Sequence, residues 1–319
     1  MSRRVPLRTV LAVLVLSVGG SAARARTATP CPAADVWVAS TRRLPGICRP
    51  PERAGIDVER LSGGDRGRWV RAHVDDLLAE QDRPLVVFVH GNRYAAPEAK
   101  SQGLRLARML AAACPAAGPA RMLIFSWPSE QQGRLLRDVR TKYDRAPSDG
   151  HYLAWLLGRV APERPVAIVG YSYGAIVSLQ ALSDLAAAEA RGAPAATWAE
   201  RPGRTHVVLV APAVRCDALA PRGPYRAALA GVDRLTLVAN SADCALKFFN
   251  RVDRSIGIDA LGVAPMSARR LPADLEYCAV DAAAAIGHGH LLPLYLDTPC
   301  LARRITAGAV AGLDAAPAE

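Results

Sequence analysis

Seven short apolar runs are spaced along the chain, and each has the length of a β-strand. Their residues are apolar at successive positions, so both faces of each run require cover. This pattern is typical of the central strands of a parallel sheet that helices cover on both sides. The runs occupy residues 35–40, 84–90, 121–126, 165–170, 205–211, 234–239 and 275–280.

Helical patterns lie between these runs. They cover residues 97–113, 148–159, 175–191 and 299–313, and Ser148 is expected to cap the second helix at its N-terminus. Alternation of strands and helices over this length predicts an α/β fold: a doubly wound, mostly parallel sheet with helices on both faces. No linker-like stretch divides the pattern, so we expect a single domain over residues 33–314.

Residues 1–25 have the features of an export signal peptide. The segment begins with the basic residues Arg3, Arg4 and Arg8. A short apolar run follows at residues 10–18, and the segment ends in the small-x-small pattern Ala23-Arg24-Ala25. The apolar run is too short to span a bilayer comfortably, although an uncleaved anchor helix is the alternative. We therefore expect a periplasmic or extracellular protein with no stable membrane insertion after signal removal.

All seven cysteines lie beyond this segment, and an oxidising compartment favours disulfides. The number is odd, so at least one thiol is expected to stay unpaired, and Cys114 in an apolar helical pattern is predicted to be buried. The pattern is compatible with Cys31–Cys48, Cys216–Cys244 and Cys278–Cys300, but spacing alone does not fix the pairing.

The formal net charge is +11, a balance that suits binding of nucleic acid or of an anionic envelope polymer. The basic residues are nevertheless scattered between acidic ones rather than clustered. We therefore expect no nucleic-acid partner. A steep salt dependence of binding to such a polymer would favour the opposite interpretation.

The motif Gly170-Tyr171-Ser172-Tyr173-Gly174 lies between a predicted strand and a predicted helix. This is the context of a nucleophile elbow, in which a strained turn exposes a serine hydroxyl at the carboxyl end of the sheet. A second motif, His90-Gly91-Asn92-Arg93, follows the strand at 84–90. Acyl transfer requires two backbone N–H donors for the oxyanion, and we predict that Asn92 and Tyr173 supply them.

An acid and a base should follow Ser172 in the chain, in that order. Asp243 follows the strand at 234–239 and is the preferred acid, with Asp217 after the previous strand as the alternative. His288 and His290 lie in the loop after the last strand, where the base is expected. His290 is preferred because it is nearer the final helix, and His288 stays the alternative. No other histidine or cysteine pair has metal-ligand spacing, so neither a metal nor another cofactor is expected.

Taken together, these motifs resemble the α/β-hydrolase superfamily and, more narrowly, a bacterial α/β-hydrolase family of uncharacterised function. The likeness extends over about residues 35–305. Two tyrosines depart from the family pattern: Tyr171 replaces the more usual His and Tyr173 the more usual Met. The matching blocks are residues 38–42, 87–92, 125–129, 143–145, 170–174 and 241–246.

The sequence thus predicts a serine hydrolase that cleaves a carboxylic ester or thioester of a small molecule through Ser172, Asp243 and His290. The connection between the strands at 205–211 and 234–239 is too short for a large lid, so an open site is expected. Trp127, Tyr143 and Tyr173 either line this site or belong to the core. The alternative function is a non-catalytic scaffold that binds a partner or ligand outside the cytoplasm. The oligomeric state stays open.

Overall fold

A computed structural model of the chain describes residues 35–63, 67–79, 83–113, 120–133, 135–190, 198, 200–254 and 257–313. The predicted export signal, Cys31 and Cys114 lie outside these residues. The domain limits at residues 33 and 314 also lie outside them and stay a prediction. No helix among the described residues is long and apolar enough to cross a membrane.

The described strands form one sheet of nine, in the order β3-β2-β1-β5-β4-β6-β7-β8-β9. Only β2 runs antiparallel to the other eight described strands. The predicted fold class, a mostly parallel α/β sheet with helices, is confirmed. The strands are β1 (Val36–Ser40), β2 (Asp57–Ser62), β3 (Arg68–Ala72), β4 (Leu85–Val89), β5 (Arg121–Ser126), β6 (Val166–Tyr171), β7 (Thr205–Val210), β8 (Arg234–Ala239) and β9 (Glu276–Asp281).

Every residue of β4, β5, β6 and β7 is buried, which requires cover on both faces of the sheet. Two helix pairs, α2 with α8 and α3 with α4, pack together and against the strands. The helices are α1 (Val74–Ala79), α2 (Ala96–Ala113), α3 (Leu135–Leu157), α4 (Gly174–Ala190), α5 (Phe249–Asp253), α6 (Ala283–Ile286), α7 (Leu292–Asp297) and α8 (Pro299–Val310).

The strand order reverses direction between β4 and β6. The chain leaves β4 for β5 on one side, whereas it leaves β6 for β7 on the other. Such a switch point opens a crevice beyond the carboxyl ends of the two strands, where ligands bind in open α/β sheets. The loop with Asn92 follows β4, and the turn with Ser172 follows β6. The topology therefore brings both motifs to one crevice.

The second predicted helix begins earlier than expected. We predicted a start at Ser148, but α3 begins at Leu135 and contains Pro147 in its interior. Proline lacks an N–H, which makes a helix boundary the ordinary expectation at this position. Ser148 does not cap the helix; its Oγ accepts a hydrogen bond from the Ile47 amide at 2.7 Å.

The pairings Cys216–Cys244 and Cys278–Cys300 that the sequence allowed are not formed, because all four cysteines are free thiols, and Cys48 is a free thiol as well. The Cys216 amide donates to Asp259 and the Cys244 amide to His288, so their loops turn towards different segments. Cys278 pairs with Thr236 across β8 and β9. The part of α8 that packs on Thr236 is Gly308, since a Cβ there would overlap the threonine side chain. Cys300 lies eight residues earlier in α8, roughly 12 Å along the helix, which is too far from Cys278 for a disulfide.

Candidate active site

Ser172 lies in the sharp turn between β6 and α4, where its backbone has a φ of 52°. Residues other than glycine rarely adopt this left-handed conformation, so neighbouring groups must hold the turn. The Ser172 amide donates to the Val210 carbonyl at 3.0 Å, and the Ser172 carbonyl accepts from Ala175 and Ala213. The serine is thereby fixed at the carboxyl end of the sheet, with 5% of its surface exposed.

Two glycines allow other backbone segments to approach this turn. A Cβ on Gly174 would overlap the Val89 carbonyl oxygen at the end of β4. A Cβ on Gly91 would lie 2.9 Å from Ser172 Cβ and 2.9 Å from the Tyr171 ring. Only glycine permits such contacts, so the loop after β4 lies directly against the serine.

His290 lies between Ser172 and Asp243. Its Nε2 atom is 3.0 Å from Ser172 Oγ, and its Nδ1 atom is 2.6 Å from Asp243 Oδ2. Because a carboxylate accepts, Nδ1 carries the proton and Nε2 is left to accept from the serine hydroxyl. Asp243 is fully buried, and its Oδ1 accepts from the Ala245 and Leu246 amides at 2.9 and 3.0 Å. Both carboxylate oxygens are therefore held in place.

Two buried side chains, neither of which was predicted from the sequence as a site residue, hold the histidine loop. Asn240 Nδ2 donates to the Gly287 and Gly289 carbonyls, each at 2.9 Å. The Tyr171 hydroxyl donates to the His290 carbonyl at 2.7 Å. Burial raises the pKa of Tyr171 well above its usual value, so the phenol stays a donor. The sequence did single out Tyr171 in one way, because this tyrosine replaces the histidine that is more usual before the serine in the family pattern.

The two alternative site residues lie elsewhere. His288 is exposed, and its Nδ1 contacts the Ala242 carbonyl at 2.9 Å rather than Asp243. Asp217 pairs with Arg215 through two hydrogen bonds of 2.9 and 2.8 Å. The structure therefore brings the preferred residues Asp243 and His290 to Ser172, and not the alternatives.

The predicted oxyanion donors are the Asn92 and Tyr173 amides. Asn92 is next to Gly91, where an added Cβ would lie 2.9 Å from Ser172 Cβ, and Tyr173 directly follows Ser172. Neither amide donates a hydrogen bond within the described residues. The Asn92 side chain is occupied, because its Oδ1 accepts from the Arg93 amide at 2.9 Å. Two backbone donors beside the serine are thus left for a ligand.

The His90 side chain holds the loop after β4 through hydrogen bonds. Its Nδ1 contacts the Gly91 carbonyl at 2.9 Å, and its Nε2 accepts from the Trp127 amide at 3.2 Å. Complete burial, together with the nearby Arg42 guanidinium, lowers the pKa of His90 to about 3. The imidazole is therefore neutral near pH 7, in the state that its accepting Nε2 requires.

Arg42 is a further residue that the sequence analysis did not single out, although it lies in a family-matching block. Its Nε donates to Ser126 Oγ at 2.8 Å and its Nη2 to the Tyr94 carbonyl at 2.9 Å, while it also pairs with Glu130. Arg42 thus ties the ends of β1 and β5 to the loop after β4.

Of the three candidate lining aromatics, Trp127 belongs to the core. It is fully buried, and its ring stacks on His90 with a centroid separation of 5.8 Å. Tyr143 and Tyr173 contact each other edge to face at 5.8 Å, and Tyr143 bonds to Asp253. Tyr143 of α3 therefore connects α5 to Tyr173, the residue that follows Ser172. Among the described residues, no three His, Cys, Asp or Glu side chains are grouped to hold a metal ion.

A family model described as "Alpha/beta hydrolase of unknown function (DUF900)" matches residues 67–276. No curated protein matches the chain. Solved structures that it resembles distantly include the Thermus thermophilus protein TT1662, with 17% identity, 82% of this chain and 94% of that chain covered, and a TM-score of 0.41. An esterase/lipase from an uncultured bacterium has 12% identity, 78% of each chain covered and a TM-score of 0.37. The esterase RhEst1 from Rhodococcus sp. ECU1013 has 10% identity and a TM-score of 0.37, with 80% of this chain and 96% of that chain covered.

Proposed function

The chain belongs to the family Alpha/beta hydrolase of unknown function (DUF900), and on this premise we propose that it is a serine hydrolase acting on a carboxylic ester or thioester. The observation that carries the proposal is the continuous line of hydrogen bonds from Ser172 through His290 to Asp243. A general base within hydrogen-bond reach of a hydroxyl, and oriented by a carboxylate, is the arrangement that activates a serine nucleophile.

In the first step, Ser172 Oγ attacks the acyl carbonyl carbon while its proton passes to His290 Nε2. Asp243 accepts from Nδ1, which keeps the imidazole oriented and stabilises its cation. The carbonyl oxygen becomes an oxyanion, and the Asn92 and Tyr173 amides donate to it. Collapse of this intermediate breaks the bond to the leaving alcohol or thiol, which takes the proton from His290.

In the second step, water attacks the acyl-serine ester and His290 removes a proton from it. The acid is released as the proton returns to Ser172 Oγ. The chemistry needs no cofactor, since the chain's own groups supply the nucleophile, the base and the oxyanion donors. The substrate class is a small-molecule acyl compound whose carbonyl reaches the crevice between β4 and β6.

The decisive test is labelling of Ser172 by a fluorophosphonate, a reagent that phosphonylates an activated serine. We expect labelling of the unmodified chain, loss of it in Ser172→Ala, and retention in Ser101→Ala, which removes an exposed hydroxyl from α2. Turnover of p-nitrophenyl esters of rising chain length should follow the same pattern. Equal labelling of Ser172→Ala, or no labelling and no turnover by the unmodified chain, would refute the proposal and favour a non-catalytic scaffold.

We also propose that the protein is exported to the periplasm or beyond, on the strength of residues 1–25 alone. N-terminal sequencing of the protein recovered from the producing cell's envelope fraction tests this. A mature chain that begins near residue 26 supports export, whereas a chain that retains Met1 in the cytoplasmic fraction contradicts it.

A further inference from the structure

The described residues contain five exposed large apolar side chains. Four of them lie on segments that follow the carboxyl ends of β5, β8 and β9, the edge of the sheet at which Ser172 lies. Leu291 is 67% exposed and directly follows His290, and Leu294 lies in the first turn of α7. Phe248 is 54% exposed and lies two residues beyond Leu246, whose amide holds Asp243. The fourth is Leu136, in the first turn of α3.

Residues close in sequence to Leu136 and Phe248 contact the same edge of the sheet. The Val139 carbonyl of α3 accepts from the Tyr173 hydroxyl at 3.4 Å. Tyr143, one turn later, contacts both the Tyr173 and the Phe249 rings at 5.8 Å. The segments that carry Leu136 and Phe248 therefore pack beside Tyr173, the residue that follows Ser172. The fifth exposed apolar residue, Val70, lies on the outermost strand, β3.

Exposed cations alternate with these apolar side chains. Arg251 stacks over the Phe248 ring, with its Cζ atom 5.1 Å from the ring centroid, and Lys247 precedes Phe248. Arg137 is adjacent to Leu136, and Arg93 follows Asn92. None of these four cations makes an ion pair within the described residues. We name the eight side chains the site rim: Leu136, Phe248, Leu291, Leu294, Arg93, Arg137, Lys247 and Arg251.

Acidic side chains beside the rim are already engaged. Asp144 pairs with Arg254 at 3.1 Å, Asp253 accepts from the Tyr143 hydroxyl, and Glu130 pairs with Arg42. The rim thus presents apolar groups together with positive charges that have no local counterion. A surface with this combination is complementary to an anionic lipid bilayer, in which acyl chains lie just below negative headgroups.

We infer that the face carrying Ser172 docks onto an anionic phospholipid surface through the site rim. The apolar side chains enter the headgroup region while the rim cations pair with lipid phosphates. A second copy of the chain would cover the apolar groups but would bring like charges together, which disfavours that occupant. Docking does not require Ser172 to be a nucleophile, so it goes beyond the proposed function and can fail separately from it.

The test is sedimentation of the full chain with unilamellar vesicles, made either of phosphatidylcholine alone or of phosphatidylcholine with phosphatidylglycerol. Phe248→Ser with Leu291→Ser should weaken partitioning to the anionic vesicles at least about tenfold, because two apolar side chains no longer leave water. Val70→Ser removes a similarly exposed apolar group from β3 and should not change it. All variants keep residues 1–25, so that segment does not contribute to the difference.

A second pair of variants tests the charges. Lys247→Gln with Arg251→Gln should weaken binding to anionic vesicles by about 25-fold, at roughly fivefold for each cation, and should leave binding to phosphatidylcholine unchanged. Arg71→Gln, on β3, is the matched control. Ser172→Ala should bind as the unmodified chain does, which separates docking from catalysis.

Three results would overturn the inference. The first is that the rim variants bind vesicles as tightly as the unmodified chain. The second is that the β3 controls lose as much binding as the rim variants lose. The third is that the unmodified chain is a dimer without affinity for vesicles and that the rim substitutions make it a monomer, as measured by sedimentation equilibrium. In that case the rim is an interface between copies.

Discussion

His288 and His290 differ in what their ring nitrogens contact. His290 reaches both Ser172 and Asp243, whereas His288 is exposed and contacts a backbone carbonyl. We therefore expect His290→Ala to lower kcat/KM for a p-nitrophenyl ester by at least about 10⁴-fold, because the base is lost. His288→Ala should stay within about threefold, as expected for a surface change away from the reacting atoms. Similar losses in both variants would contradict the assignment of the base.

Tyr171 acts on the reaction through His290. Tyr171→Phe removes only the hydroxyl that donates to the His290 carbonyl, and it leaves that carbonyl without its partner. The free energy of unfolding should fall by about 1–3 kcal/mol. Because the imidazole is then less well positioned, kcat should fall about tenfold while KM is unchanged. Steady-state kinetics well below the melting temperature measure this split; an unchanged kcat would mean that Tyr171 has a structural role only.

At the scale of elements, the loop after β4 depends on the absence of a side chain at Gly91. A Cβ there would press on Ser172 and on the Tyr171 ring, so Gly91→Ala should displace the loop that carries the Asn92 amide. Loss of one oxyanion donor lowers kcat by about 10²–10³-fold. Gly55→Ala is the control, since nothing lies within 4 Å of the added Cβ and the backbone has no positive φ. Full activity in Gly91→Ala would show that this close contact is not required.

Most of the strands that the sequence predicted are buried on both faces, and the half-exposed β9 is the exception. Residues 84–90 are apolar throughout, and β4 follows them closely; the same holds for the runs that became β5 to β8. The hairpin of β2 and β3 was missed because it is half-exposed and rich in Arg and Glu, so its pattern resembles a loop. Strand ends also located Ser172, Asp243 and His290, because parallel strands end at one edge. Asn240 and Tyr171 could not be found in this way, since their bonds depend on the conformation of the histidine loop.

At the scale of the whole molecule, two buried histidines make the fold sensitive to acid. Burial and nearby arginines lower the pKa of His90 to about 3 and that of His206 to about 4, from an ordinary value of 6.5. Both imidazoles are therefore neutral in the folded protein at pH 5, whereas the unfolded chain binds protons below about pH 6.5. The unfolded state binds more protons in this window, so the free energy of unfolding falls as the pH falls.

Because the unfolded imidazole is half protonated at pH 6.5 and almost fully protonated at pH 5, each histidine should cost about 1.6 kcal/mol over this interval, or about 3 kcal/mol for the two. His206→Asn isolates one of them, because the asparagine amide can still donate to the Ala309 carbonyl that now accepts from Nδ1 at 3.2 Å. Arg234 disfavours protonation of His206 and Asp233 favours it, and both stay in place in this variant. Urea unfolding at the two pH values should show a loss of about 1.6 kcal/mol in His206→Asn, half that of the unmodified chain. If both chains lose the same amount, His206 is not one of the groups that couple folding to pH.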